Sequence, residues 1–520
     1  MAKNSKSLVS NPLPGFAAFA VLGLALLQAS CTVGPDYSAP KTPVRPAYAN
    51  AVLTTRPSTV SSEAEPAIEW WTTLRDPELD SLVRRAAGGN LDLQSAAARL
   101  LESRAELRIA GAKELPTLST SAAFARINSG KGVSLPGGSG GQSSAIDTNV
   151  WSAGFDASWE IDLFGGQRRL IEAAAADYQA SVEYRRDILV SLTAEVARDY
   201  LQLRGLQERV QIARDNLALQ QDTLDLTLSL RKAGFNSQLD VSRARTQVAQ
   251  TRATLSPLTT AVIQQEHAIA TLLGLDPNAL SAELDEVKPL PAVPTLVSVG
   301  MPTDLLRRRP DIRRAERQIA AANARVGAAV ADFYPRFSLT GDFGLDASKF
   351  NHLFDWENRY FILYPSIDWR VFDFGRTAAE VAQEKAVRQE TLLAYQSAVL
   401  SALRDVEDAL VAYANEQDHH AALTDAVASA QDSVAISKDQ YKQGIIDFLQ
   451  LLDAQRQLLS VQDDLAQSDQ AIATNLVALY KSLGGGWEAE DTGQRQSQPN
   501  ADVPSAIGLS ALTNGAGGDK

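Results

Sequence analysis

The side chains that most often carry metal or nucleophilic chemistry are scarce in this sequence. It holds one cysteine, Cys31, and four histidines in 520 residues. This number cannot build a disulfide framework or a structural zinc site. The adjacent His419 and His420 fall in a run typical of a long helix with no other candidate ligand nearby, so a surface pair is the favoured interpretation. No HExxH, Walker A or GxGxxG motif occurs, and we expect neither an enzyme nor a metal site.

The charge balance argues against nucleic acid as a partner. Lys and Arg number 49 against 62 Asp and Glu, which gives a net charge of -13, and proteins that bind nucleic acid are usually basic. The run Arg307, Arg308 and Arg309 could bind phosphate, but a solvated helix face is the favoured interpretation. The glycine-rich residues 130–141 lack the Lys-Ser/Thr ending of a phosphate loop and predict an accessible loop.

The N-terminus has the pattern of a secretory signal. Lys3 and Lys6 precede an apolar stretch at residues 16–27, and small residues lead into Cys31. This junction resembles a bacterial lipobox, in which the cysteine is acylated and becomes the first mature residue. Gln28 departs from the usual aliphatic residue, so an unlipidated signal is the alternative. Thr32 after the cysteine favours sorting to the outer membrane.

The chain contains one structural unit twice. A shift of 210 residues relates many positions of the two halves, and a shift of 219 relates the positions further upstream. The first shift matches Leu239 to Leu449, Gly234 to Gly444, Leu273 to Leu483, Trp159 to Trp369 and Phe164 to Phe374; the second matches Pro116 to Pro335. The nine extra residues of the second shift predict an insertion in the first copy, between residues 116 and 159. Each copy is therefore one long supersecondary unit.

Each copy begins with two predicted strands. Apolar residues alternate with polar or small ones at residues 118–124, 151–163, 337–345 and 361–371. Strands of about nine to eleven residues can cross a bilayer, and Trp151, Trp159, Trp356 and Trp369 lie in or beside them, as in an interfacial aromatic girdle. A soluble four-stranded sheet is the alternative. Because four strands cannot close a membrane barrel, the membrane interpretation requires several chains.

A long helical hairpin follows each strand pair. Residues 167–232 and 376–442 contain no proline, and each would extend about 100 Å as a helix. The returning helices repeat apolar residues every seven positions, which predicts coiled-coil packing. These positions are Val241, Val248, Leu255, Val262 and Ile269 in the first copy and Leu451, Leu458, Leu465, Ile472 and Leu479 in the second. Pro257 predicts a local kink. Shorter helices are predicted at residues 78–113 and 303–332, with Asp76 and Thr303 as capping signals.

Four strings resemble the NodT-type outer-membrane factors of the TolC and OprM group. They are CTVGPDY from Cys31, WW followed by DPELDSLV from Trp70, RRRPDIRRAE from Arg307 and LLDAQRQLL from Leu451. The resemblance covers about residues 31–487 and implies a mainly α fold with a transmembrane β part. In this TolC-like fold each of two tandem repeats supplies two strands and a coiled-coil hairpin. A homotrimer then makes a 12-stranded β-barrel that continues into a 12-helix α-barrel.

The corresponding organisation has six parts. We expect a lipoprotein signal peptide at 1–30, a lipidated linker at 31–77 and a first repeat at 78–275. An inter-repeat linker at 276–302, a second repeat at 303–484 and a disordered tail at 485–520 follow. The only expected cofactor is the covalent lipid on Cys31.

The resemblance assigns function to the hairpin tips. It places Leu449 and Asp453 at the apolar and acidic rings of a periplasmic gate, and it matches Asp240 and Tyr441 to a hydrogen-bonded pair that holds the tips closed. Gln450 and Ile446 depart from the carboxylate and the basic residue of the family's closing network.

The tips would also meet the partners of the channel. Gly234, Ser237 and Gly444 would face a periplasmic adaptor, a membrane fusion protein that links to an inner-membrane RND transporter. The implied function is the outer-membrane channel of a tripartite efflux pump, anchored by lipid and extending into the periplasm. The alternative is a periplasmic coiled-coil lipoprotein that scaffolds an envelope complex without conducting.

Overall fold

The computed structural model describes residues 32–50, 59–61, 67–128 and 147–488. The predictions for the signal peptide, Cys31, the glycine-rich residues 130–141 and the tail from residue 489 onward lie outside the described residues. The sequence places the start of the disordered tail at residue 485, but Trp487 is buried and Glu488 pairs with Arg308, so residues 485–488 belong to the fold. The chain folds as two compact units. Unit one comprises residues 1–44, 94–185 and 310–401, and unit two comprises residues 45–93, 186–309 and 402–520.

Helices dominate the described residues. The α-helices are α1 (Pro77–Gly89), α2 (Leu91–Ala112), α3 (Gly166–Lys232), α4 (Gln238–Leu272), α5 (Ser281–Leu284), α6 (Pro302–Arg308), α7 (Pro310–Ala331), α8 (Arg376–Lys442) and α9 (Phe448–Ser482). The strands are β1 (Thr59–Ser61), β2 (Thr117–Asn128), β3 (Asp147–Ile161), β4 (Leu296–Ser298), β5 (Arg336–Ala347) and β6 (Arg359–Asp368). Among the described residues, none of the helices is long and apolar enough to cross a bilayer.

The four predicted strands form one antiparallel sheet in unit one, in the order β2-β3-β5-β6. Thr117 of β2 lies opposite Ser158 of β3, and Arg336 of β5 lies opposite Asp368 of β6. These two pairs are related by the same shifts of 219 and 210 residues that the sequence shows. The duplication therefore extends to the register of the hydrogen-bonded strands.

In unit one, the segment after residue 31 is fixed to the start of α3 by a buried arginine. The guanidinium of Arg169 binds the carboxylate of Asp36 at 2.8 Å and that of Glu172 at 2.8 Å. Its Nε also donates to the carbonyl of Val33 at 3.2 Å. A side chain at Gly34 would meet the backbone of Gly327, where a Cβ would lie 2.5 Å from the Gly327 Cα. Residues 33–36 are therefore fixed against α3 and α7 by hydrogen bonds, an ion pair and close backbone contact.

Unit two is organised around Arg204, whose side chain is fully buried. Its guanidinium binds Glu78 of α1 at 2.8 Å and the backbone carbonyl of Glu286 at 2.7 Å. It also donates to Gln207 at 2.7 Å and lies over the ring of Tyr200. A buried charge is tolerated only when such partners satisfy it. The N-terminal segment, α3 and the segment between the repeats must therefore meet at this point.

The short helices differ from the prediction. Residues 78–113 form two helices, because Asn90 ends α1 and its side chain begins α2. Its Oδ1 accepts from the backbone N–H of Leu93 and its Nδ2 donates to the carbonyl of Leu272, both at 2.9 Å. Such a side chain competes with the helical backbone bonds. The predicted cap Asp76 is confirmed, since it accepts from Glu78 N at 2.9 Å and Leu79 N at 3.2 Å.

The helix predicted at residues 303–332 is also two helices. Arg309 is extended, with ψ of 118°, as the residue before a proline tends to be. The helix α6 begins at Pro302 after Met301, so Thr303 is not its cap.

The prediction of a solvated arginine face is wrong for two residues of this run. Arg308 pairs with Glu488 at 3.3 Å, and Arg309 pairs with Asp405 at 3.5 Å. Both arginine side chains are mostly buried in unit two.

The predicted heptad residues form the packing face of the returning helices. Val241, Val248 and Ile269 of α4 are buried, whereas the two heptad residues between them are only half-buried. In α9 the buried members are Leu451, Leu458, Ile472 and Leu479. The helix α4 continues through Pro257.

Candidate functional site

The tips of the two hairpins, residues 233–237 and 443–447, are built on glycine turns. Gly234 has a φ of +86° and Gly444 a φ of +71°, values that favour glycine. The N–H of Phe235 bonds the carbonyl of Leu230, and the N–H of Ile445 bonds the carbonyl of Gln440, each at 2.9 Å. These bonds end α3 and α8 in the same way. The structural role predicted for the two glycines follows from this geometry.

The second halves of the two turns differ. Ser237 begins α4 with a capping box, in which its Oγ accepts from the backbone N–H of Asp240 at 3.2 Å. In return the Asp240 carboxylate accepts two hydrogen bonds from Ser237, one from its backbone N–H at 3.2 Å and one from its hydroxyl at 2.6 Å. At the matching positions of the second repeat, Asp447 begins α9 without a side-chain cap and Gln450 replaces the carboxylate. Only the first tip carries this reciprocal cap.

Apolar side chains join the two hairpins just behind the tips. They come from α3, α4, α8 and α9, and Ile446, the departure from the family's basic residue, packs against them. The buried members are Leu224, Val241, Ala244, Val248, Tyr441, Phe448, Leu451 and Leu452. This cluster fixes the positions from which the remaining tip residues project.

Tyr441 is the polar member of this cluster and is buried. Its hydroxyl lies 3.1 Å from Thr227 Oγ1 and accepts a short hydrogen bond from the side-chain amide of Asn236. Burial, first of all, raises the pKa of Tyr441 above its ordinary value. Within the described part of the chain, the predicted hydrogen bond between Tyr441 and Asp240 is not formed. The physical reason is that the one hydroxyl proton of Tyr441 goes to Thr227, whose own hydroxyl donates to the carbonyl of Thr223 at 2.8 Å.

The two predicted gate residues lie on an exposed face. Leu449 is 44% exposed, and Asp453 follows one turn later and is exposed too. Side chains four residues apart share one face of a helix. Asp453 makes no ion pair with a described residue, and Leu451 and Leu452 point into the apolar cluster instead. The chain thus presents an apolar and an acidic group side by side without using either for its own packing.

Sequence reasoning missed two exposed apolar side chains at the tips. Phe235 is 80% exposed and Ile445 is 64% exposed, and the shift of 210 residues relates them. Leu239, the first-repeat counterpart of Leu449, is 56% exposed. The sequence feature that could have indicated them is a large apolar residue directly after the turn glycine in both copies. Exposure of this kind often marks an interaction surface.

The histidine pair has ordinary polar neighbours. His419 Nδ1 lies 3.0 Å from Glu416, and His420 Nε2 lies 2.8 Å from Asp469. In the part of the chain that the structure describes, no group of three or more His, Cys, Asp or Glu side chains could hold a metal ion.

Comparison with known sequences gives matches over most of the chain. The family profile described as outer membrane efflux protein matches residues 82–275 and 301–485. The antibiotic efflux pump outer membrane protein ArpC of Pseudomonas putida is 32% identical over 493 residues, which cover 92% of this chain and 97% of ArpC. The outer membrane protein OprJ of Pseudomonas aeruginosa is 31% identical over 477 residues, which cover 91% of this chain and 97% of OprJ.

Solved structures give the same result. The outer-membrane channel OprN matches with a TM-score of 0.82 and 36% identity, over 88% of this chain and 100% of that chain. The open state of the Neisseria gonorrhoeae MtrE outer membrane channel matches with a TM-score of 0.73 and 30% identity, over 88% and 99%. The TolC-like fold predicted from the sequence is thereby confirmed.

We predict that Tyr441→Phe loosens the hairpin tips. Loss of the hydroxyl leaves Thr227 and Asn236 without their partner in a buried place, at a cost of about 1–3 kcal/mol. Hydrogen exchange of the backbone amides at both tips should become faster. Tyr178→Phe on α3 is the matched control, because Tyr178 makes no hydrogen bond with a described residue, and it should leave the tips unchanged. Equal exchange in the two variants would contradict the assignment.

Proposed function

Because the chain belongs to the outer membrane efflux protein family, we propose that it is the channel through which an efflux pump discharges small molecules across the outer membrane. The observation that carries the proposal is the sheet of unit one. Among the described strands, β2 and β6 each pair on one side only. A strand edge left open in a bilayer would expose unsatisfied backbone groups. The sheet must therefore be completed by other copies of the chain.

The proposed assembly is a homotrimer in which twelve strands close a barrel. The internal repeat predicts how the copies join. We expect β6 of one copy to pair with β2 of the next copy in the register in which β3 pairs with β5 within a chain. The shifts of 210 and 219 residues then convert the observed pair Ala157 and Gly341 into the pair Ile367 and Ala122. The neighbouring pair Asp156 and Asp342 becomes Ser366 and Ala123 in the same way.

The proposed gate lies at the hairpin tips. Three copies of Leu449 would form an apolar ring that narrows and dewets the conduit, and three copies of Asp453 would form an acidic ring that favours cations. Support comes from the exposure of both side chains and from the absence of an ion-pair partner for Asp453 among the described residues.

The proposed partners meet the same tips. We assign the exposed Phe235 and Ile445 to contact with a periplasmic adaptor, next to Gly234, Ser237 and Gly444. The adaptor would link the channel to an inner-membrane RND transporter. The names of the relatives, which include an antibiotic efflux pump and a toluene efflux pump, favour drugs and other toxic small molecules as the exported compounds.

The proposal includes a lipid anchor on Cys31. The mature protein should carry acyl chains at its first residue, detected as added mass on the N-terminal peptide. Cys31→Ser should remove this mass, whereas Ser30→Ala in the same junction should retain it. An unmodified N-terminal peptide in the parent protein would overturn the anchor and leave the channel proposal standing.

The register between copies can be tested with paired cysteines. Ile367→Cys with Ala122→Cys, and Ser366→Cys with Ala123→Cys, place partners about 4.5–5.5 Å apart between Cα atoms, within disulfide reach. At least one pair should form covalent species that end at the trimer. Ile367→Cys with Leu118→Cys is the control, displaced by four residues, and should stay uncoupled. Crosslinking of the control alone would contradict the register.

The gate predicts the conductance of single channels in planar bilayers. Leu449→Ala and Asp453→Ala should each raise conductance, and the double variant should raise it further. Asp453→Asn should reduce the preference for cations, because the ring loses its charge. Asp432→Ala removes an exposed acid of α8 as a control and should leave conductance unchanged. A double variant with parental conductance would count against this gate, and a parent that never conducts would favour the scaffold alternative.

A further inference from the structure

Unit two contains a cavity whose lining includes no residue of the hairpin tips or of the four-stranded sheet. It has a volume of about 650 Å³, within the range of about 300–1,000 Å³ that is typical of small-molecule sites. Three helices form one side: α3, α8 and α9. The segment at residues 287–295, which joins the two repeats, forms the other side.

The wall from the inter-repeat segment is apolar and stiff. Its sequence is VKPLPAVPT, and Pro289, Pro291 and Pro294 all line the cavity. Each proline fixes its own φ and lacks a backbone N–H donor. Ile472 of α9, which is buried, adds an apolar surface from the helices. This wall offers a ligand mainly hydrocarbon contact.

The wall from the helices is acidic. Glu208 of α3 is half-buried and makes no hydrogen bond or ion pair with a described residue. Burial, and then the charge of Asp469, raise the pKa of Glu208. Asp469 lines the same cavity, and its Oδ1 lies 2.8 Å from His420 Nε2.

The one lysine that lines the cavity, Lys288, pairs with two acids that do not line it. The ammonium of Lys288 lies 2.6 Å from Glu78 and 3.5 Å from Glu286. Glu78 also binds Arg204, so its carboxylate is shared between Lys288 and Arg204.

Of the acids that line the cavity, Asp469 contacts His420, whereas Glu208 has no hydrogen-bond or ion-pair partner among the described residues. A half-buried carboxylate of this kind gains from an opposite charge within reach.

We propose that this cavity binds a lipophilic organic cation. Its charge lies between the carboxylates of Glu208 and Asp469, and its hydrocarbon body packs against the prolines of the inter-repeat wall. A lipophilic anion of equal shape meets the same hydrocarbon but is repelled by the acids. A bare metal ion would have too few ligating side chains in the cavity and would gain nothing from contact with the apolar wall. None of the residues that line the cavity belongs to the hairpin tips or to the sheet, so this site is additional to the proposed conduit.

The two sides of the cavity can be tested with ions of matched shape. After subtraction of the heats measured with empty nanodiscs, calorimetric titration of the whole protein in lipid nanodiscs should show binding of tetraphenylphosphonium and not of tetraphenylborate. Glu208→Gln and Asp469→Asn should each weaken the binding of the cation about tenfold, as expected for the loss of a charge-assisted contact. Glu106→Gln, at an exposed acid of α2, is the control and should bind as the parent does.

A second measurement places the ligand. Ala292 lines the cavity and is exposed, so a maleimide should label Ala292→Cys, and tetraphenylphosphonium should slow this labelling. Labelling of Ala428→Cys, on an exposed position of α8, should not change. Equal binding of the two ions, parental affinity in Glu208→Gln, or unprotected Ala292→Cys would each overturn the proposal. Because conductance is measured separately, failure here leaves the channel proposal intact.

Discussion

The structure of unit two depends on one buried positive charge. Arg204 has no exposed surface, and its partners Glu78 and Glu286 lie far from it in the sequence on either side. Leaving such a charge unpaired costs several kcal/mol, about 3–5 when one partner is removed. The requirement brings three distant parts of the chain to one place. It also positions the inter-repeat segment, whose next residues form the apolar wall beside Glu208.

Regular patterns made most of the fold predictable. Alternating residues gave the strands, an absence of proline gave α3 and α8, and internal repetition gave the pairing of equivalent elements. The breaks at Asn90 and Arg309 were harder to predict. Asn90 ends a helix because its amide bonds a carbonyl from α4, a contact that local propensity does not contain. The side chain of Arg309 is mostly buried and pairs with Asp405, an acid that is distant in sequence.

In the candidate site too, the sequence located some residues, whereas the contacts between distant elements could not be predicted from it. Family resemblance located Leu449 and Asp453, and both prove to be exposed on one helix face. It could not predict that the Tyr441 hydroxyl donates to Thr227 rather than to Asp240, because that choice depends on how α3 and α8 pack side by side. Phe235 and Ile445 escaped notice since an apolar residue after a turn is as compatible with burial as with exposure. Only the packing of the hairpins separates these cases.

The unequal capping of the two tips has a consequence for local unfolding. A reciprocal cap contributes about 1 kcal/mol to the first turn of a helix, and α4 has one at Ser237 while α9 has none at Asp447. The first turn of α9 relies instead on Phe448 and Leu451, which are buried in the apolar cluster behind the tips, where one such side chain contributes about 1.5–3 kcal/mol. Leu449 lies within that turn. The residue that would close the conduit is therefore held in place by apolar packing, whereas its counterpart Leu239 lies in a turn that is held by a cap.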